Sequence, residues 1–88
     1  MDEIKILVVE DEAIVARNIE KRLSNAGYHI SGVVTTAKEA IEKAHSAKPD
    51  LVLMDIKLKG EMDGIEAAKI IRKNLRLPII FLTSYTDE

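Results

Sequence analysis

Three apolar runs in this chain each end in an oxygen-bearing side chain: Ile6-Leu7-Val8-Val9 runs into Glu10-Asp11, Leu51-Val52-Leu53-Met54 into Asp55, and Ile79-Ile80-Phe81-Leu82 into Thr83. Laid side by side as parallel strands, the runs bring three carboxylates and a hydroxyl to one edge of one sheet. Carboxylates crowded in this way repel, and without a counter-charge one of them has its pKa raised and holds a proton. A divalent cation removes that conflict. Ligands that are all oxygen, with no His or Cys in the motif, select Mg2+, Mn2+ or Ca2+ over zinc. An aspartate at such a centre is able to attack phosphorus and form an aspartyl phosphate, while the cation neutralises charge developing on the phosphoryl oxygens. Asp55 is the candidate nucleophile because it alone terminates the central apolar strand. Glu10 and Asp11 are then candidate ligands, directly or through water, and the Thr83 hydroxyl is a candidate donor to a phosphoryl oxygen.

The elements that must hold these groups are legible in the hydrophobic pattern. Lys5 to Val9 is a continuous β-branched and leucine run, the pattern of a strand buried on both faces of a parallel sheet. From Glu12 to Ala26, apolar residues at Val15, Ala16, Ile19, Leu23 and Ala26 recur at three and four, Gly27 follows as a stop, and an acidic first turn suits the helix dipole. Tyr28 to Val34 is a weaker strand, interrupted by Gly32 and placed near a sheet edge. Thr36-Ala37-Lys38-Glu39 has the capping-box form, in which Thr36 and Glu39 satisfy free N–H groups reciprocally, so a helix starts near Ala37 with Ala37, Ala40, Ile41 and Ala44 as its stripe. Lys48-Pro49-Asp50 ends that helix, because proline disfavours helical geometry in the residue before it. Leu51 to Ile56 is the third strand, and Lys57 to Met62 is a polar, glycine-containing loop. Asp63-Gly64-Ile65-Glu66 repeats the capping spacing, and Ile65, Ala68, Ile71, Arg72 and Leu75 continue a third helix to about Asn74. Pro78 opens the last strand, Ile79 to Thr83.

The order β-α-β-α-β-α-β predicts an open parallel sheet with helices on both faces, of the flavodoxin-like strand order 2-1-3-4. In such sheets the ligand lies outside the carboxyl ends of the strands where strand order reverses, here between the first and third strands. Glu10, Asp11 and Asp55 occupy that point.

Length and composition narrow the function further. The 88 residues make one small domain, and a chain of this size buries roughly two thirds of its unfolded surface. Its composition, 47% hydrophobic and 32% charged, is that of an ordinary globular protein. A net charge of −2 lacks the basic excess of a general nucleic-acid or anionic-membrane binder. There is no cysteine, so disulfides and thiolate metal sites are excluded. Apolar runs far shorter than a membrane span, and an opening Met1-Asp2-Glu3 that resembles no signal peptide, predict a cytoplasmic protein.

The segments Ile6 to Glu12, Asp50 to Asp55, Met62-Asp63-Gly64 and Pro78 to Ser84, in this order along the whole chain, resemble the receiver domain of two-component response regulators. The resemblance implies a CheY-like fold in which Asp55 accepts a phosphoryl group from the phosphohistidine of a sensor histidine kinase. It implies Mg2+ held by Glu10, Asp11, Asp55 and the backbone carbonyl of Lys57. It also implies that Thr83 follows the phosphoryl group and couples phosphorylation to surface rearrangement, while Lys57 and Tyr85 lie where side chains tune dephosphorylation. Such a domain catalyses only its own phosphorylation and dephosphorylation and is not a turnover enzyme.

Three departures from the family pattern stand out. The acidic pair is Glu-Asp where Asp-Asp is commoner. The Lys57 to Met62 loop lacks a frequent proline and is one residue longer. The sequence stops at Glu88, where the family continues with a helix, a strand bearing a lysine and an aromatic, and a last helix. That ending predicts a C-terminally incomplete domain over residues 1–88, with Ile79 to Leu82 as an apolar edge strand that pairs with a second copy, as a homodimer or swapped oligomer, or that belongs to a longer parent. A scaffold fragment that self-associates without switching is therefore the alternative function.

Plainer readings compete residue by residue. Glu10-Asp11-Glu12 alone could be an acidic helix start, but Asp55 directly after Leu51-Val52-Leu53-Met54 is expensive unless paired or metal-bound. Thr83-Ser84 could simply end a strand. His29 and His45 read as surface residues, and Lys69, Arg72, Lys73 and Arg76 as a solvated helix face rather than a site for nucleic acid. A phosphohydrolase of similar topology needs a second acid two residues after the nucleophile, where this chain has Lys57. A nucleotide or flavin binder needs a glycine-rich phosphate loop after the first strand, and none is present.

Overall fold

In the computed structural model, which describes residues 3–82, the four apolar runs form one parallel sheet. The strands are β1 (Lys5–Val9), β2 (His29–Val34), β3 (Leu51–Asp55) and β4 (Ile79–Leu82), in the order β2-β1-β3-β4. Register pairs Val9 of β1 with Met54 of β3, and Asp55 with Leu82 of β4. Among the described residues this is the expected 2-1-3-4 topology. The helices are α1 (Ala13–Asn25), α2 (Ala37–Ala47) and α3 (Gly64–Asn74).

Side chains of a strand alternate between faces, so each central run supplies both sides of the sheet. Leu7, Val9, Val52, Met54 and Ile79 form one continuous core with the alanine stripes of α2 and α3, with Ile71, and with the loop residues Leu58 and Leu77. Small residues on both helices let them approach the sheet closely. The alternate positions, Ile6 and Val8, are fully buried, and right-handed crossovers place α1 on that opposite side. Cover is incomplete there: Leu51, Leu53 and Leu82 are half-buried, and Ile80 of β4 is 51% exposed. Ile14 of α1 is 78% exposed.

Several local expectations are corrected. Glu12 is the N-cap of α1, makes no side-chain capping bond, and leaves the first turn without an acid. Thr36 does cap α2 by accepting from the Glu39 N–H, but Glu39 reaches one residue further back, accepting from the N–H and hydroxyl of Thr35 rather than closing a reciprocal box. Those bonds lower the Glu39 pKa. The reciprocal box forms instead on α3, where Asp63 accepts from Glu66 N–H at 2.9 Å and Glu66 accepts from Asp63 N–H. Ile65 and Arg72 face outward, and the buried stripe of α3 is Gly64, Ala67, Ala68 and Ile71. The third strand ends at Asp55, and Lys48, before Pro49, closes α2 in the left-handed region at φ +48°. Among the described residues β2 is an edge strand, as expected, and a register shift falls beside Gly32, opposite Ile6 and Leu7. His29 and His45 are exposed, as are Lys69, Arg72, Lys73 and Arg76.

Candidate functional site

The site follows from where β1 and β3 stop. Because Val9 and Met54 are in register, the next residue of each strand, Glu10 and Asp55, emerge side by side at the carboxyl edge, and Asp11 follows on the turn into α1. Oxygens of Glu10, Asp11 and Asp55 lie within 4.8 Å of one another. Glu10 is 3% exposed and Asp55 4%, while Asp11 is half-buried.

Each carboxylate is held by one backbone N–H. Glu12 donates to Glu10 Oε2 at 3.1 Å, Lys57 to Asp55 Oδ1 at 3.1 Å, and Lys59 to Asp11 Oδ2 at 3.1 Å. The first two are turns in which an acid is bonded by the amide two residues on. The third reaches across from the β3–α3 loop, so that loop closes on the acids from both ends of one segment. Leu58, buried between Lys57 and Lys59, fixes the loop to the core. Gly64 N–H then bonds Ile56 O at 3.0 Å and brings the start of α3 against the end of β3.

No cationic side chain takes part in these hydrogen bonds, and the electrostatics show it. The Glu10 carboxyl is pushed up from 4.5 to about 7, first by burial, against the pull of the Glu12 N–H, and further by the Asp55 charge and by hydrogen bonding with Asp55 and Asp11. Glu10 therefore holds its proton up to near neutrality, chiefly because it is buried and only secondarily through the crowding of carboxylates that the sequence pointed to. An all-oxygen set with an uncompensated buried charge fits a hard divalent cation, which would displace that proton.

Sequence reasoning placed Glu10, Asp11 and Asp55 together, and the structure does bring them together. Lys57 lies beside them in the loop, contributing its amide to Asp55, with its side chain exposed. Thr83 and Tyr85 lie outside the described residues; β4 itself is tied to the residue after Asp55 by Ile56 N–H bonded to Leu82 O at 3.3 Å. What the sequence reading missed is the part played by Lys59, Leu58 and Gly64. An apolar residue set alone in the polar loop, Leu58, was the one available signal.

The family model for the response regulator receiver domain matches residues 6–88. The chain belongs to this family. The receiver chain is 41% identical over 87 residues to the response regulator protein VraR of Staphylococcus saprophyticus, an alignment covering 97% of this chain and 41% of that protein. It is 39% identical over 83 residues to the transcriptional regulatory protein PdtaR of Mycobacterium tuberculosis, covering 94% of this chain and 40% of the relative. Among solved structures, it is similar to the signal receiver domain of a modulated diguanylate cyclase from Desulfovibrio desulfuricans G20, with a TM-score of 0.90 and 38% identity over 96% of this chain and 67% of that one. The receiver chain thus spans about two fifths of the length of these curated relatives. Receiver domains serve as phosphoacceptors in two-component signalling, and that coarse role extends to this chain with the family. Among the described residues, no helix is long and apolar enough to cross a membrane.

Proposed function

We propose that residues 1–88 act as one receiver domain in which Asp55 accepts a phosphoryl group from a sensor histidine kinase, with Mg2+ held by Glu10, Asp11, Asp55 and the carbonyl of Lys57. The observation that carries this reading is the convergence of three carboxylates within 4.8 Å at the ends of β1 and β3, with Asp55 oriented by the Lys57 N–H. A bound Mg2+ supplies charge neutralisation for the phosphoryl oxygens. The chain's own residues do the rest. Asp55, the buried last residue of β3, presents a carboxylate with one oxygen held by the Lys57 amide. Its oxygen forms a bond to phosphorus as the N–P bond of the donor breaks, and the leaving imidazole takes up a proton from water. Glu10 must give up its retained proton for the cation to bind, so the acid pair links occupancy to pH. Thr83, next after β4, is assigned the hydrogen bond to the acquired phosphoryl group. Transfer happens once per event, so the domain is a switch and not a turnover enzyme, working in the cytoplasm.

Incubation with Mg2+ and acetyl phosphate, followed by intact mass, tests the reading. A phosphoryl adduct on the wild type that is absent from Asp55→Asn and abolished by EDTA is expected. Wild type without any adduct overturns it.

A second reading is favoured by a specific observation: among the described residues β4 is a sheet edge, and its Ile80 is half exposed. Pairing of two copies along Ile79 to Leu82 would cover it. Light scattering that returns a monomer mass at high micromolar concentration removes this reading without touching the first.

A further inference from the structure

Gly64 is assigned to no role by the acid cluster, yet its backbone leaves no room for a side chain against Asp55. A Cβ built at Gly64 would lie 2.1 Å from the backbone oxygen of Asp55, 3.0 Å from its carbonyl carbon and 3.0 Å from Met54 Cγ. Two of these three atoms are backbone of Asp55, the last residue of β3, which is paired with Leu82 of β4. They have no rotamer by which to move aside. The same residue's N–H bonds Ile56 O at 3.0 Å, so the first residue of α3 is seated directly on the Asp55–Ile56 segment.

Left-handed geometry does not explain this glycine. Gly27 and Gly60 have positive φ, at 98° and 112°, with nothing within 4 Å of an added Cβ, whereas Gly64 is helical and its constraint is steric. Seen from Asp55, the contact has a consequence at the site. Its carbonyl lies against Gly64, and its carboxylate is fixed by the N–H of Lys57. Lys57 follows Ile56, the residue that Gly64 holds. The helix start therefore sets the backbone on which both Asp55 and its orienting amide are mounted.

We propose that Gly64 is a positioning residue for the phosphoacceptor: the absence of a side chain lets α3 clamp the end of β3 so that the Asp55 carboxylate stays aligned with the Lys57 amide and the neighbouring acids. The phosphorylation part of this inference rests on Asp55 being the acceptor; the alignment part does not.

Gly64→Ala in the full chain tests it, beside Asp63→Ala, which removes the cap of the same helix without adding an atom near Asp55. With neither metal nor phosphodonor present, the Lys57 amide resonance is expected to shift in Gly64→Ala and to stay in place in Asp63→Ala. Adduct formation from acetyl phosphate is expected to slow at least tenfold in Gly64→Ala at a temperature where both variants are folded by circular dichroism, and less than threefold in Asp63→Ala. A Lys57 amide unmoved in folded Gly64→Ala, or equal slowing in the two variants, overturns the proposal. If wild type forms no adduct, the phosphoacceptor reading fails while the Lys57 resonance still decides the alignment. Should Gly64→Ala not fold, titration of wild type with Mg2+ decides: the Gly64 amide and Asp55 carbonyl resonances must move with the same midpoint as the Lys57 amide. A Gly64 amide that stays fixed overturns the clamp.

Discussion

Replacing Glu10 by Gln keeps the side chain's shape and an oxygen to accept from the Glu12 N–H, and removes only the charge. In the folded chain this carboxyl is raised from 4.5 to about 7, chiefly by burial. A group whose folded pKa is raised stabilises the fold while protonated, so its contribution is fully present below pH 4.5 and is lost as pH rises through about 7. Each pKa unit corresponds to about 1.4 kcal/mol, so the wild type loses up to about 3 kcal/mol from this group across that window. Residues outside the acid cluster are the same in both proteins, so the difference between them isolates Glu10 together with the two acids it touches. Urea unfolding in EDTA at pH 5, 6, 7 and 8 measures it. Glu10→Gln should match wild type near pH 5 and exceed it by about 2 to 3 kcal/mol at pH 8, a gap that Mg2+ narrows by stabilising only the wild type. Parallel pH profiles within about 0.5 kcal/mol would refute the claim that buried, unneutralised charge sits at this position.

Three further outcomes follow from burial and hydrogen bonding. Leu58→Ala removes the anchor of the β3–α3 loop, a side chain only 7% exposed; it should cost roughly 2 to 4 kcal/mol in urea unfolding and weaken Mg2+ binding in an NMR titration, because the loop carries Lys59 N–H to Asp11. Asp63→Ala should lose about 1 kcal/mol by removing the reciprocal cap of α3, with thermal unfolding as the readout. On β4, Ile79→Ala should cost roughly 2 to 4 kcal/mol and its neighbour Ile80→Ala under about 1 kcal/mol, since the first lies in the core and the second is half exposed; equal losses would mean that Ile80 is covered in solution.

How much of this was legible in the sequence depends on what each residue's role requires. Continuous apolar runs bounded by turn residues located the central strands: Ile6 to Val9 are buried on both faces, and in Leu51 to Met54 the alternate residues Val52 and Met54 are buried while Leu51 and Leu53 are half-buried. They also located the acids, since a charge directly after such a run must lie at the sheet edge. The helix faces were less legible. Ile65 and Arg72 fit the spacing of α3, yet Gly64 and Ala67 are buried there instead, because α3 packs so tightly on β3 that small residues win the inner face. The Thr36 cap was correctly placed but its partner acid was not, since Glu39 found two donors on Thr35 where the reciprocal box offers one. The roles of Lys59 and Gly64 were not read: Lys59 acts through its backbone amide, and Gly64, though part of the Met62-Asp63-Gly64 segment that carried the resemblance, acts through a close approach to Asp55 that only the fold shows.

The two kinds of residue at this edge act on stability with opposite sign. Lys57, Lys59 and Glu12 each give one N–H to a carboxylate, which orients the acids but leaves their charge uncompensated, as the raised Glu10 carboxyl shows. Gly64 and Leu58 hold the same segment in place by packing, and changing either destabilises the fold. A folding optimum would replace Glu10 with an uncharged residue; a cation site cannot. Removing the Glu10 charge should therefore stabilise the metal-free chain and abolish tight Mg2+ binding in one substitution, whereas Leu58→Ala should weaken both. A residue whose loss improves the fold while removing a ligand is present for chemistry, and that divergence separates the acid cluster from the scaffold that aims it.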